Sequence, residues 1–168
     1  MPHLQTPRLT IVPFTAELAE AAIKGKSALE KYLGVSVATG WPIPDLAEAL
    51  PEFVAMLRAD PLLAEWMGSI IHREEKILIG DMGFKSRPNE DGVAEIGYGI
   101  VPIYQGKGYC FEAVSSLVAW GWQQPELKKI TAECDPNNFA SIRVLEKLGM
   151  KRAGVENNLL KWELWRPV

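Results

Sequence analysis

Between Arg8 and Val12, "RLTIV", polar and apolar side chains come close to alternating, the period of a half-buried strand. After Pro13 the pattern changes: Thr15 to Lys24 reads as a helix with Thr15 as its N-cap. A loop around "GWPIP", Gly40 to Pro44, leads to Leu46, Leu50, Phe53, Val54 and Leu57, whose spacing is helical. Pro51 lies inside that run, so the helix either kinks there or begins near it, and Asp60-Pro61 marks its end. Three β-rich runs follow, Glu65 to Arg73, Lys76 to Lys85 and Val93 to Val101, joined by the turn-rich "REEK" and "SRPNEDG", which predicts an antiparallel meander. Cys110, Ala113, Val114, Leu117, Val118 and Gly121 return to helical intervals. Lys129 to Cys134 is a strand, Ser141 to Leu148 a helix closed by Gly149, and Lys151 to Val155 and Leu159 to Trp165 are two last strands. The order is strand, two helices, three strands, helix, strand, helix, two strands. It predicts an α/β (α+β) fold with a mixed, mostly antiparallel sheet of about seven strands and four helices, and one parallel crossover.

Composition narrows this picture. The chain has 168 residues, 48% of them hydrophobic, which suits one domain over residues 1–168 that buries roughly two-thirds of its unfolded surface. With 18 Lys and Arg against 21 Asp and Glu, the net charge is -3, and no basic tract points to nucleic acid. Met1 to Thr10 has no basic flank and apolar core of a leader, and no apolar run approaches the ~18 residues of a membrane span, so a cytoplasmic protein is expected. Cys110 and Cys134 cannot form a disulfide framework, and with only His3 and His72 beside them they give no metal-site spacing. A catalytic Cys–His pair stays open as a minor alternative.

The candidate chemistry sits at "IVPIYQGKGYC", Ile100 to Cys110, where a strand runs through a glycine-bearing turn into a helix. Such a junction leaves main-chain N–H groups without intrahelical partners and aims them, with the helix dipole, at one point that suits an anion. Gly106 and Gly108 present no side chain to a diphosphate, and Lys107 adds charge nearby. Alternatively the glycines only let the chain turn. The spacing is neither that of a P-loop nor that of a dinucleotide fingerprint.

Gln105-x-x-Gly108-x-Cys110 resembles the Gln/Arg-x-x-Gly-x-Gly/Ala acetyl-CoA pyrophosphate loop of the GNAT superfamily of N-acetyltransferases. "DPNNFASIRVLEKLGM", Asp135 to Met150, is similar to the Asn-x-x-Ser-x-x-x-Leu-Glu-Lys-Leu-Gly-Phe block of its ribosomal-protein N-terminal acetyltransferase (RimJ/RimL) branch, as are "TPRLTIVPFT" near the start and "EIGYGI" at Glu95 to Ile100. Cys110 departs from the usual Gly or Ala and Met150 from the usual Phe. The resemblance implies the GNAT fold with splayed central strands, acetyl-CoA as co-substrate, no metal, and acetyl transfer to a primary amine by direct attack in a ternary complex. It implies cofactor contacts at Ile100, Val101, Gln105, Gly106, Lys107, Gly108, Tyr109, Cys110 and Asn138, with the Val101 N–H as thioester donor.

For catalysis the resemblance implies Glu95 as general base and Ser141 beside the thioester. Both have plainer readings: a cross-strand ion-pair partner for Glu95, and a helix face for Ser141. Asn138 likewise has the plain reading of a helix cap, and Arg143, Glu146 and Lys147 read as helix-surface charges. Leu145 stands where many relatives carry a Tyr acid, so Ser141, a water, or one of Tyr98, Tyr104 and Tyr109 would have to serve. Trp41, Pro42 and Pro44 are candidates for the acceptor wall, or else a rigid turn over a buried indole. The alternatives to an enzyme are an acyl-CoA-binding sensor without turnover and a phosphate-binding module. The resemblance implies a protein N-terminus or a small-molecule amine as acceptor, and a monomer or a homodimer is expected.

Overall fold

The computed structural model describes residues 3–168; Met1 and Pro2, the first residues of the stretch read for a leader, lie outside them. The first strands are β1 (Leu4–Gln5) and β2 (Leu9–Pro13), the latter burying Leu9 and Ile11 completely. Helix α1 (Ala16–Lys24) starts at Thr15, whose hydroxyl accepts the Leu18 N–H at 3.1 Å. It is followed by α2 (Lys26–Leu33), β3 (Ser36–Val37) and α3 (Pro44–Ala59). α3 begins at Pro44 and runs through Pro51, so the second start near Pro51 is not used. The bond that Pro51 abolishes would join it to Ala47, and both residues are exposed, so water can take the freed carbonyl while Leu46, Leu50 and Leu57 stay buried.

A 3-10 turn, Pro61–Trp66, feeds the meander of β4 (Met67–His72), β5 (Ile77–Phe84) and β6 (Val93–Ile100). Then come α4 (Tyr109–Gly121), β7 (Lys129–Cys134), α5 (Phe139–Lys147), β8 (Lys151–Glu156) and β9 (Leu159–Trp165). The described sheet has nine strands in the order β1-β2-β4-β5-β6-β7-β9-β8, with β3 pairing β5 off that path. The two strands beyond the expected seven, β1 and β3, are two residues long, and the additional helix is α2, which buries only Leu29. A segment with one buried residue writes almost no period into the sequence.

Helix α1 packs on α3, whose Leu46 and Phe53 meet β4–β6 on one side of the sheet, and α4 packs on β2, β5 and β6 from the other. On the α4 face Trp66 packs edge-on against Phe84 (5.3 Å) and Trp120 (4.9 Å). The parallel partners β6 and β7 are in register only from Val93 to Glu95, opposite Lys129 to Thr131. Past Glu95 the two strands part, and that opening is the feature around which the site is built.

Candidate active site

The glycine junction forms one wall of a cleft of about 360 Å³ whose other walls are Tyr98–Ile100 of β6 and one side of α5. Gly106 and Gly108 adopt φ of +75° and +82°, a conformation glycine takes without strain. A Cβ on Gly106 would meet nothing within 4 Å, so the turn is an open cradle, and one on Gly108 would meet only an Arg8 guanidinium nitrogen, at 3.4 Å. Among the described residues no side chain caps α4, which leaves the N–H groups of its first turn, Tyr109 to Phe111, turned outward. The loop is fixed from the N-terminal segment. Arg8 donates to Lys107 O at 2.9 Å and to Glu112 at 2.7 Å, and its guanidinium covers the Tyr109 ring at 4.2 Å. Burial opposes ionisation of Glu112, but the bonds from Thr6 and Arg8 outweigh it and hold its carboxyl below the usual range.

Main-chain geometry explains what the opening offers. Lys85 N–H donates to Glu95 O (2.8 Å) and Val101 N–H to Ile79 O (2.9 Å), so the odd-numbered residues of β6 spend their amide groups on β5. Alternation then turns the groups of Tyr98 and Ile100 toward β7, past the point where β7 has left. The Ile100 carbonyl is taken by Gln105 Nε2 at 2.8 Å, which ties the loop to the strand end. The Val101 N–H, implied as a thioester donor, is therefore committed within the sheet, and the free groups lie at Tyr98 and Ile100.

The cleft brings together Ile100, Gln105, Gly106, Gly108, Tyr109, Cys110, Asn138 and Ser141, and does not include Val101, Lys107 or Glu95. Asn138 is the N-cap of α5, its side-chain oxygen accepting the Ser141 N–H at 3.1 Å, which leaves its amide nitrogen for the cleft. Sequence reasoning missed Arg143 and Lys147 as lining residues; their i,i+4 spacing on α5 is the signal that puts them on one face. Tyr98, on the sequence alone one of three substitutes for a tyrosine at position 145, has its hydroxyl against Ser141 Oγ at 2.7 Å inside the cleft. Burial raises the Tyr98 pKa, partly offset by the Ser141 bond, so the phenol keeps its proton. Leu145 is fully buried and plays no part in the cleft lining.

Glu95 lies at the last position of β6 that pairs with β7 and accepts a hydrogen bond from Lys85, in a surface network that includes Glu133 and Lys161. His72 spends Nε2 on Tyr109 (3.0 Å) and Nδ1 on the Glu75 N–H (3.2 Å), so neither ring nitrogen is left for a cysteine. Burial pushes the Cys110 thiol up to about 12, the Asp81 charge adding to it, far from a nucleophilic thiolate. Among the described residues no group of three or more His, Cys, Asp or Glu is arranged to hold a metal ion.

A second cavity, about 330 Å³, opens on the α1–α3 side of the sheet. Phe14, Leu46, Phe53 and Met82 give it apolar walls, Asp45, Asp81 and Lys85 are its charged residues, and Tyr98 lines it as well as the first cleft. The "GWPIP" loop roofs this side through Ile43, which sits over Gly99 so closely that a Cβ there would fall 2.6 Å from it. Trp41 is a buried indole behind that roof, and Pro42 and Pro44 do not line the cavity.

A parting between parallel strands is thus flanked by an open glycine turn on one side and a second cavity across the sheet. The acetyltransferase (GNAT) domain model matches residues 8–151, and the chain belongs to this family of N-acetyltransferases. It is 33% identical over 149 residues to the uncharacterized N-acetyltransferase YjdG of Bacillus subtilis (strain 168), covering 87% of this chain and 88% of that protein. A GNAT-family acetyltransferase structure from Bacillus anthracis superposes with a TM-score of 0.67 at 25% identity, over 98% of both chains. The ribosomal L7/L12 α-N-protein acetyltransferase RimL, solved in complex with coenzyme A, shares the fold at 16% identity, with a TM-score of 0.66 over 95% of each chain.

Proposed function

We propose that acetyl-CoA occupies the cleft between β6 and α5, that a primary amine enters the cavity on the α1–α3 side, and that the two meet at Tyr98. The observation that carries this reading is that Tyr98 lines both spaces while its own amide groups face the parting of the sheet. The open cradle at Gly106 and the uncapped first turn of α4 fit a diphosphate, with Arg143 and Lys147 as countercharge across the cleft. The N–H and C=O of Tyr98 and the N–H of Ile100 fit the amide-bearing arm of the same molecule, which would add to β6 as a strand adds to an edge. When bound, acetyl-CoA supplies an acetyl group activated as a thioester. Tyr98, held by Ser141 and kept protonated by burial, is the donor positioned to return a proton to the departing sulfur.

This arrangement removes the motive for a sensor without turnover, since Tyr98 brings from β6 the hydroxyl that Leu145 lacks on α5. Apolar walls with two carboxylates, Asp45 and Asp81, and a single lysine among them favour an acceptor whose ammonium group sits on a compact apolar body. The test is release of free thiol from acetyl-CoA against a panel of primary amines, spanning arylalkylamines, aliphatic amines, polyamines and short peptides with free N-termini. Release with the apolar amines supports the reading; binding of coenzyme A without release from any amine, at any pH, would contradict it.

A further inference from the structure

On the acceptor side three buried polar atoms have no partner: Trp41 Nε1, Ser69 Oγ and Asp81 Oδ1. They form one group. Ser69, Asp81 and Gly99 are successive cross-strand partners on β4, β5 and β6, so their side-chain positions share the face that the "GWPIP" loop covers. Asp81 stands in the middle of "ILIGDMGF", an otherwise apolar strand. No ion pair reaches it among the described residues: Lys85, the cation of the same cavity, goes to Glu95 and Glu133. A half-buried carboxylate with an unpaired oxygen costs stability, and nothing in the packing of this sheet requires one. Lining the acceptor cavity and without a partner, it is complementary to what an amine donor brings, a cation with N–H groups to give.

We propose that Asp81 receives the acceptor's ammonium group and takes its proton, the role the family resemblance assigned to Glu95. The inference rests on the N-acetyltransfer reading above. The ammonium R–NH₃⁺ passes one proton to Asp81 and becomes R–NH₂. Its lone pair forms the new C–N bond at the acetyl carbonyl carbon; the C–S bond breaks with its electron pair going to sulfur. The nitrogen gives its second proton to water, the sulfur takes the Tyr98 proton and the phenol regains one from water, so the products are the amide and a free thiol. Asp81 then returns its proton to solvent, and the sum is one amide, one thiol and one H⁺ from an ammonium and a thioester.

The chemistry of the site agrees. Burial raises the Asp81 carboxyl to about 7, with the Trp41 indole N–H offsetting part of the rise although it falls short of a formed hydrogen bond. A base of that strength exchanges protons with an ammonium near neutrality far better than an ordinary carboxylate. The titratable groups facing the cavity are Asp45 from α3, Lys85 from β5 itself and Tyr98 from β6; Ser69 is the polar neighbour from β4, and Cys110 of α4 feels the Asp81 charge. Glu95 has none of this setting. It lines neither cavity and is bound by Lys85, which lines the second.

The experiment compares the full-length chain with Asp81→Asn, Asp81→Glu and Glu95→Gln, using thiol release from acetyl-CoA with the best amine of the panel. Asp81→Asn should lower kcat/KM about a hundredfold at neutral pH, with the deficit shrinking as the pH rises and the amine loses its proton unaided. Asp81→Glu should restore part of the activity, and the loss in Glu95→Gln should be at least about tenfold smaller than in Asp81→Asn. Acetyl-CoA affinity, read from tryptophan fluorescence, should stay within about twofold in Asp81→Asn. A readout independent of turnover follows from linkage. Between 3.8 and about 7 the native carboxyl keeps a proton that the unfolded chain has lost, so wild-type stability should fall as pH rises across that window, and Asp81→Asn should lack that fall. A folded Asp81→Asn enzyme with wild-type turnover and pH profile overturns the proposal, as does a larger loss in Glu95→Gln. A wild-type enzyme that releases no thiol with any amine overturns the underlying reading instead.

Discussion

The two spaces that meet at Tyr98 are built in opposite ways. The cleft beside α4 presents main chain at its key points, an uncapped helix start, two glycines in the left-handed region and the unpaired amide groups of β6, with side chains of α5 across from them. The cavity on the other side is walled by side chains from the loop before α1, from α3 and from β4 and β5, with Gly97 and Tyr98 of β6 beside them. Main-chain binding needs a local backbone shape, which a short motif encodes. Side-chain binding needs residues far apart in sequence to converge, so one fold can keep its cofactor while its acceptor changes.

That contrast can be broken by substitutions that ought to act on one space and not the other. The largest effect is expected from Gly108→Val, where a β-branched residue at φ +82° strains the turn and fills the cradle: coenzyme A affinity should fall about a hundredfold in titrations while the chain stays folded. Tyr98→Phe, on the border, should lower kcat about thirtyfold with little change in the KM for acetyl-CoA, and Ser141→Ala should cost less, about threefold to tenfold, because the Tyr98 phenol survives it. Equal losses in the two variants would mean the hydroxyl pair acts as one unit. On the acceptor side, Gly99→Ala pushes Ile43 outward and should raise the amine KM about tenfold without moving coenzyme A affinity. The smallest effect is expected from Arg8→Ala: its half-exposed pair with Glu112 is worth about 1 kcal/mol or less, so coenzyme A binding should weaken about threefold.

Legibility in the sequence follows the same division. The Gly106–Gly108 turn and the order of the long elements were readable because each is a local pattern, a period or a breaker. Helix α2 was not, since "KSALEKYL" buries one residue and so shows no face. Glu95 carries two readings in the sequence, a base by its place in a motif and a cross-strand ion-pair partner, because whether a strand carboxylate meets solvent, a lysine or a substrate depends on the neighbouring strand, and here that neighbour supplies Lys85. Asp81 did leave a trace, a lone charge inside an apolar strand, but its meaning needed Ser69, Trp41 and Gly99, drawn together from positions 41 to 99. Arg143 and Lys147 looked like solvated helix charges because nothing in α5 itself says that β6 and β7 part in front of it.

The parting of β6 from β7 has a further consequence. It puts a strand edge in the interior of a sheet, and an edge is a template for any extended chain, a stray strand of another molecule included. The resting protein must keep that template closed to strangers while admitting one slender ligand. The Tyr98–Ser141 bond, running from β6 to α5 inside the cleft, ties the two sides of the opening together and would serve as a latch of that kind. Loss of the latch should therefore register in more than reaction rate. The Tyr98 and Ile100 amides should exchange hydrogen with solvent quickly in the free protein and slowly once coenzyme A fills the slot, and an unlatched chain starved of ligand should aggregate sooner on storage than one kept saturated.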